Sequence, residues 1–150
     1  PRPMPDNSQA LRVAALRLLT RRDHSRAELR TKLAAGAESD EQLDSVLDVL
    51  QAECLLSDRR YARARVVARA GRFGDARLKQ ELRQHGVGDD DIAAALPEGG
   101  DEVLRCRAVW ERKFRELPQE LEERARQMRF LQYRGFSGEA IRSVMRGNAG

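Results

Sequence analysis

Residues 55–86 read LLSDRRYARARVVARAGRFGDARLKQELRQHG and combine a helical spacing of apolar residues with a strong positive charge. Gly71 and Gly74 interrupt the spacing and Gly86 ends it, which predicts two helices joined by a glycine hinge. Nine residues between positions 59 and 83 are Lys or Arg, against two that are acidic, so this segment alone exceeds the chain's formal net charge of +4. Because most protein surfaces mix the two signs, such a block favours a polyanionic partner over a merely solvated face.

The overall composition indicates an all-α protein. A chain of 150 residues with 41% hydrophobic residues can form one ordinary domain or a short array of repeats. Charged residues make up 35% of the chain and aromatic residues 5%, which favours helices with wide solvated faces over a β-sandwich. Only three of the 28 basic residues are Lys. The planar guanidinium of Arg suits phosphate recognition, although a GC-rich genome explains the same bias.

Several classes of protein are disfavoured by what the sequence lacks. Cys54 and Cys106 stand alone, with no CxxC spacing and no cluster of His, so we expect no metal site, no cofactor and no disulfide framework. No apolar run approaches the roughly 20 residues of a membrane span, and the first residues, PRPMPDNSQ, lack the hydrophobic core of a secretory signal. We therefore expect a cytoplasmic protein that makes no membrane contact.

Catalytic motifs are also missing. The chain contains no GxxxxGK[ST] phosphate-binding loop, and the glycine pair in GRFG is too weak a signal to indicate one. His24 and His85 each lie at the predicted end of a helix, where a turn or dipole role is more common than acid–base catalysis. We therefore predict a binding protein rather than an enzyme.

The helical pattern occurs three times. The first copy contains three predicted helices: one capped by Ser8, one opened by the capping box of Ser25 and Glu28, and one capped by Ser39 or Asp40. In the third copy a helix is expected to run to Leu117 and a new one to begin at Pro118, since proline suits the first turn of a helix.

A fixed interval supports the repeat. Apolar residues recur every 49 positions in two series, and a glycine recurs at the same step: Leu33, Leu82 and Leu131; Leu43, Ile92 and Ile141; Gly86 and Gly135. Such a unit is too small to bury its apolar residues alone and packs on its neighbours. We predict a disordered lead-in at residues 1–7, then three-helix repeats at residues 8–54, 55–98 and 99–150.

Three stretches match a family. Residues 21–33 (RRDHSRAELRTKL), 55–82 and 129–141 (RFLQYRGFSGEAI) resemble, in order and spacing, the three signatures of RecX, the bacterial regulator of the RecA recombinase. The resemblance implies an elongated, curved array of three tandem three-helix repeats that binds in the groove of the RecA filament on single-stranded DNA. It also implies an inhibitor that lowers RecA ATPase, strand-exchange and co-protease activities, and so modulates recombination, DNA repair and the SOS response.

The expected partners are thus the RecA filament and single-stranded DNA, the latter bound through the filament or directly and more weakly. We expect a monomer without a cofactor, whose contacts with RecA or DNA come from twelve residues: Arg21, Arg22, Arg26, Arg59, Arg60, Tyr61, Arg63, Arg72, Arg77, Lys79, Arg129 and Arg134. Tyr61 is included because an aromatic ring among arginines can stack on a base. The alternatives are a stand-alone DNA-binding protein of helix-turn-helix type and a helical scaffold for an acidic protein.

Overall fold

The computed structural model describes residues 7–147, so the predicted lead-in at residues 1–7 lies outside the described residues except for Asn7. Residues 7–147 contain nine α-helices and no strand. The helices are α1 (Ser8–Arg21), α2 (Arg26–Leu33), α3 (Asp40–Ala52), α4 (Asp58–Arg69), α5 (Asp75–Gln84), α6 (Asp89–Ala95), α7 (Glu102–Lys113), α8 (Leu121–Tyr133) and α9 (Gly138–Met145). Short 3-10 turns follow α2 and α6, at Ala34–Gly36 and Leu96–Gly99.

Each group of three consecutive helices encloses its own hydrophobic core, so α1–α3, α4–α6 and α7–α9 form three units. The residues that recur every 49 positions are core residues in all three: Leu33, Leu82 and Leu131 are 6%, 0% and 0% exposed, and Leu43, Ile92 and Ile141 are 0%, 2% and 1% exposed. The prediction of an all-α chain built from three tandem three-helix repeats is confirmed.

Side-chain caps start most of the helices as the sequence predicts. Both halves of the capping box form at α2, where the Ser25 hydroxyl accepts a hydrogen bond from the Glu28 amide and the Glu28 carboxylate accepts one from the Ser25 amide. At α3 the Ser39 hydroxyl accepts a hydrogen bond from the Gln42 amide, without the second half of a capping box. The prediction for α1 was one residue out, because its N-cap is Asn7 rather than Ser8. The side-chain amide of Asn7 instead donates to the carbonyl oxygen of Gly36, which ties the start of α1 to the 3-10 turn after α2.

The expectation for the third unit was wrong at one point. The first helix ends at Lys113 and the second begins at Leu121, so Pro118 lies in the connection rather than in the first turn of a helix. Arg115 has a φ of 68°, a left-handed conformation that stops the helix. The connection is then held against α8, because the side-chain amide of Gln127 donates to the carbonyl oxygen of Glu116 at 3.4 Å.

The units are joined by the same pair of positions each time. Between units one and two, the Ser25 hydroxyl donates to the carbonyl oxygen of His85 at 2.6 Å. Between units two and three, the amide of Gly74 donates to the carbonyl oxygen of Arg134 at 2.8 Å. Gly74 lies 49 residues after Ser25, and Arg134 lies 49 residues after His85. The repeat in the sequence is therefore also a repeat in how one unit docks on the next.

Candidate functional site

A line of basic side chains crosses all three units, and we call it the basic strip. It begins beside the end of α1, follows the exposed side of α4 and continues onto α7 and α8. Its members are Arg22, Arg65, Arg69, Arg72, Arg112, Lys113 and Arg134.

Two open cavities lie along the strip. The first, of about 440 Å³, lies between units one and two; the second, of about 460 Å³, lies between units two and three. Arg72 lines both, so it stands at the centre of the strip. Ala64 and Ala68 are four residues apart and therefore lie on one face of α4. Because their side chains are short, they leave space between the arginines of the first cavity.

Phe73 organises the arginines in the middle of the strip. Four guanidinium carbons lie near its ring centroid, at 4.5 Å for Arg69, 5.8 Å for Arg72, 4.7 Å for Arg77 and 5.3 Å for Arg134. Cations are attracted to the face of an aromatic ring. The ring therefore gathers side chains from units two and three at one place.

One buried carboxylate supports this cluster. Glu81 accepts two hydrogen bonds from Arg69, at 2.7 and 2.8 Å, and lies 3.4 Å from Arg77 and 3.8 Å from Arg65. Burial raises the pKa of Glu81, but the hydrogen bonds from Arg69 and the charges of the three arginines outweigh it, and the pKa is lowered. The carboxylate thus stays ionised and fixes three guanidinium groups at once.

In four other members of the strip the positive charge is not neutralised by a neighbouring carboxylate of the described residues. Within residues 7–147, Arg72, Arg112, Lys113 and Arg134 form no ion pair with a carboxylate. Among the residues that the structure describes, Arg112 donates only to the carbonyl oxygen of Gly71, at 2.7 Å, and Arg134 donates to that of Arg72, at 3.4 Å. A guanidinium has five N–H donors, so most of the donors of these two arginines are free for a ligand.

Three of the twelve residues predicted as contacts, Arg22, Arg72 and Arg134, lie on the strip, and Arg77 joins it through Phe73. Three more are engaged elsewhere, although the sequence places them in the same basic block. Arg59 pairs with Asp91 at 3.2 Å, Arg63 with Glu98 at 3.6 Å and Arg60 with Asp23 at 2.8 Å.

Two predicted contact residues are structural in this fold. Tyr61 lines the first cavity, but it is 3% exposed and belongs to the core of unit two, so too little of its ring is exposed to stack on a base. Arg26 points to α3, where its guanidinium bonds to Asp48 at 2.7 Å. The last three predicted residues, Arg21, Lys79 and Arg129, are exposed and carry no ion pair within the described part of the chain.

Sequence reasoning missed five residues of the site: Arg65, Arg69, Arg112, Lys113 and Phe130. A signal for the first two was present, because positions 65, 69 and 72 follow one another at helical steps of four and three. No local signal points to the other three, which reach the strip only because unit three packs on unit two.

The remaining reactive groups lie away from the strip. Burial raises the pKa of the Cys106 thiol to about 12, and Cys54 is exposed. Between residues 7 and 147, no three His, Cys, Asp or Glu side chains are grouped closely enough to hold a metal ion. Over the same range, no helix has the length and apolar character needed to cross a membrane.

Family models match nearly the whole chain in three consecutive pieces. The first, second and third three-helix domains of RecX match residues 12–50, 57–96 and 101–145. The protein named Regulatory protein RecX from Ralstonia pickettii (strain 12J) is 42% identical over 146 residues, which cover 97% of this chain and 92% of that protein. The protein of the same name from Ectopseudomonas mendocina (strain ymp) is 45% identical over 148 residues, 96% of this chain and 98% of the relative.

Two solved structures share the fold. The crystal structure of RecX from Lactobacillus salivarius superimposes with a TM-score of 0.82 at 20% identity and covers 94% of this chain and 96% of its own. A second crystal structure, of a regulatory protein RecX, gives a TM-score of 0.78 at 22% identity and covers 95% of this chain and 74% of its own. The three matched domains and the sequence identity to these relatives show that this chain belongs to the RecX family.

Proposed function

We propose that this protein regulates RecA by binding the RecA filament on single-stranded DNA and lowering its ATPase, strand-exchange and co-protease activities. Such binding modulates recombination, DNA repair and the SOS response in the cytoplasm. The observation that carries the proposal is the basic strip in a member of the RecX family. It crosses three units and includes four cations without a carboxylate partner in the described residues.

The proposed mechanism is binding without catalysis. Arg72 and Arg134, which Phe73 holds and which pair with no carboxylate among the described residues, offer paired N–H donors to phosphate or carboxylate oxygens of the filament. A ligand changes the balance between filament states only by binding one of them more tightly. We propose that the strip spans several neighbouring groups of the filament and favours its inactive state, as a monomer and without a cofactor.

The division into units gives the strip its length. We propose that residues 8–54, 55–98 and 99–150 are the three repeats, and each contributes to the strip through one or more arginines. Arg22 comes from the first, Arg72 from the second and Arg134 from the third. The relative placement of the units therefore sets the spacing of the contacts offered to the filament.

The test is the rate of RecA ATP hydrolysis on single-stranded DNA against increasing amounts of this protein, with binding to DNA alone measured in parallel. Inhibition is expected below the amount of protein that coats the free DNA. No inhibition, or inhibition only when the DNA is saturated, contradicts the proposal. Binding to one duplex sequence without RecA would favour the stand-alone helix-turn-helix DNA-binding protein instead.

A pair of double variants tests whether the contact is made by the strip or by the arginines on the other side of α4. Charge reversal on the strip, R72E with R112E, should abolish most of the inhibition. Charge reversal on the other side, R59E with R63E, should leave more of it, because those two arginines already pair with Asp91 and Glu98. Circular dichroism of both double variants checks that the helical content is unchanged.

A further inference from the structure

The cavity between units two and three differs from the rest of the strip, and we call it the junction cavity. It is lined by Gly71, Arg72, Val109, Arg112, Lys113, Phe130 and Arg134. We propose that the junction cavity is a binding site for a nucleoside phosphate. This inference rests on the proposed function, since the cavity lies at one end of the basic strip, and it deepens that function by giving the strip a discrete ligand.

The charge of the cavity fits a phosphate group. Four of its seven lining residues are cations and none is acidic, in a chain that otherwise has nearly equal numbers of the two signs. Arg112 and Arg134 each donate only to a main-chain carbonyl oxygen among the described residues, which leaves N–H donors for an anion. Arginine donates in parallel pairs to phosphate oxygens.

The rest of the lining fits a base. The ring of Phe130 provides an apolar surface beside the cations, and Val109 lines the cavity from within the core of unit three. The volume of about 460 Å³ is within the usual range of small-ligand sites. An inorganic phosphate would use the cations but leave that apolar surface uncovered, whereas a nucleoside phosphate covers both, because every base has a face that packs on apolar and aromatic groups.

The walls of the cavity are held before any ligand arrives. The ring of Phe130 packs edge-on against Phe114, with centroids 5.3 Å apart. The main-chain bond from Gly74 to Arg134 fixes the end of α8 against unit two. A site whose groups are already fixed loses less conformational freedom on binding.

The experiment is a binding titration of the full chain by calorimetry with four probes: inorganic phosphate, deoxythymidine monophosphate, ATP and an oligodeoxythymidylate. The nucleotides and the oligonucleotide are expected to bind more tightly than inorganic phosphate. Tighter binding of the oligonucleotide than of either mononucleotide assigns the site to a single strand, and the reverse assigns it to free nucleotide. Inorganic phosphate binding as tightly as deoxythymidine monophosphate, or no binding of any probe, overturns the inference.

Two variants locate the ligand. R112Q removes a cation and F130L removes the ring while keeping an apolar side chain, and each should weaken nucleotide binding about tenfold. R124Q is the control, because Arg124 is on α8 but does not line the cavity and is not one of the predicted contacts. Thermal unfolding checks that F130L is folded. If F130L is unfolded, the nucleotide affinity of R112Q alone tests whether the ligand binds in the junction cavity. Unchanged nucleotide affinity in R112Q overturns the inference.

The two proposals fail separately. If the protein inhibits RecA ATPase but binds no nucleotide probe, the junction cavity is not a ligand site and the proposed function stands. If it binds nucleotide and R112Q weakens that binding, but RecA is not inhibited, the site stands and the proposed function fails.

Discussion

The guanidinium of Arg105 in α7 lies 2.8 Å from the carboxylate of Asp75 at the start of α5, and so joins unit three to unit two. Arg105 is 9% exposed. It also donates to the carbonyl oxygens of Ala70, Phe73 and Gly100, at 2.9, 3.1 and 2.9 Å. One side chain thus provides hydrogen-bond donors for carbonyl oxygens at the end of α4, in the glycine hinge and in the connection between the units.

Replacement of Arg105 should destabilise the protein strongly. R105A leaves the Ala70 and Phe73 carbonyl oxygens and the Asp75 carboxylate without their partner, and we expect a loss of about 3 kcal/mol in the free energy of unfolding. Urea denaturation measures it. R107A on the same helix is the control, since Arg107 has no ion pair within residues 7–147, and it should change stability by less than about 0.5 kcal/mol.

The joint between units two and three should not tolerate a methyl group at Gly74. A Cβ there would overlap the main chain of Gly135 and Phe136, which cannot move as a side chain can. G74A is expected to cost roughly 2 kcal/mol of stability. The matched control is G71A in the same hinge, where a Cβ meets nothing within 4 Å. Equal melting temperatures for the two variants would show that the joint has room for a methyl group at position 74.

Glu28 should make stability depend on pH in acid. Burial raises the pKa of Glu28, but hydrogen bonds from Arg22 and the Ser25 amide outweigh it, and the pKa falls from an ordinary 4.5 to about 2. A carboxyl group with a lowered pKa stabilises the fold fully above pH 4.5, and that stabilisation is lost as the pH falls toward 2. The difference in unfolding free energy between the wild type and E28Q should therefore shrink between pH 6 and pH 3.

His24 should make stability depend on pH over a higher range than Glu28 does. Burial chiefly lowers its pKa below 6.5, and the charges of Arg22 and Lys32 lower it further. Since the folded state then binds the proton less readily than the unfolded state, stability is greatest above pH 6.5 and declines as the pH falls below it. Chemical denaturation at pH 7.5 and 5.5 should show a larger loss for the wild type than for H24Q. Parallel losses in the two proteins would contradict this role.

Salt should weaken binding to the filament if phosphates are contacted. Each phosphate contact releases bound counterions, so the affinity falls as salt rises from about 50 to 200 mM. R72Q should reduce the slope of log affinity against log salt by about one, whereas R59Q should change it less. An affinity that does not vary over this range would remove the phosphate contacts from the proposal.

The fold could be predicted from the sequence because its signals are local and repeated. Apolar residues at an interval of 49 fall in the core of every unit, and Ser25 and Glu28 form the predicted capping box. The connection of unit three could not be predicted in this way. Pro118 is compatible with a first helical turn, but the left-handed Arg115 and the hydrogen bond from Gln127 to the Glu116 carbonyl oxygen place it in a loop.

The candidate site was only partly predictable, because the sequence gives the order of the charged residues but not the direction of their side chains in the fold. A helix turns about 100° per residue, so the arginines of α4 are spread around it. Arg59 and Arg63 meet the carboxylates of unit two, whereas Arg65 and Arg69 line the first cavity. Arg72, in the hinge after α4, lines the cavity between units two and three. The cations that complete the strip, Arg112 and Lys113, come from an element more than 30 residues further along.

Ser25 and Gly74 occupy the same position in successive units and meet equivalent carbonyl oxygens, yet one uses a hydroxyl and the other its main-chain amide. The meeting point is thus the same at both junctions, while the group that donates the hydrogen bond differs. Each junction also excludes a side chain at one glycine, because a Cβ on Gly86 would lie 2.4 Å from that of Ala27 and a Cβ on Gly135 would lie 2.3 Å from that of Arg77. The second junction adds Gly74, where a Cβ would overlap main chain, so the joint between the first two units can accept more changes of sequence than the joint between the last two.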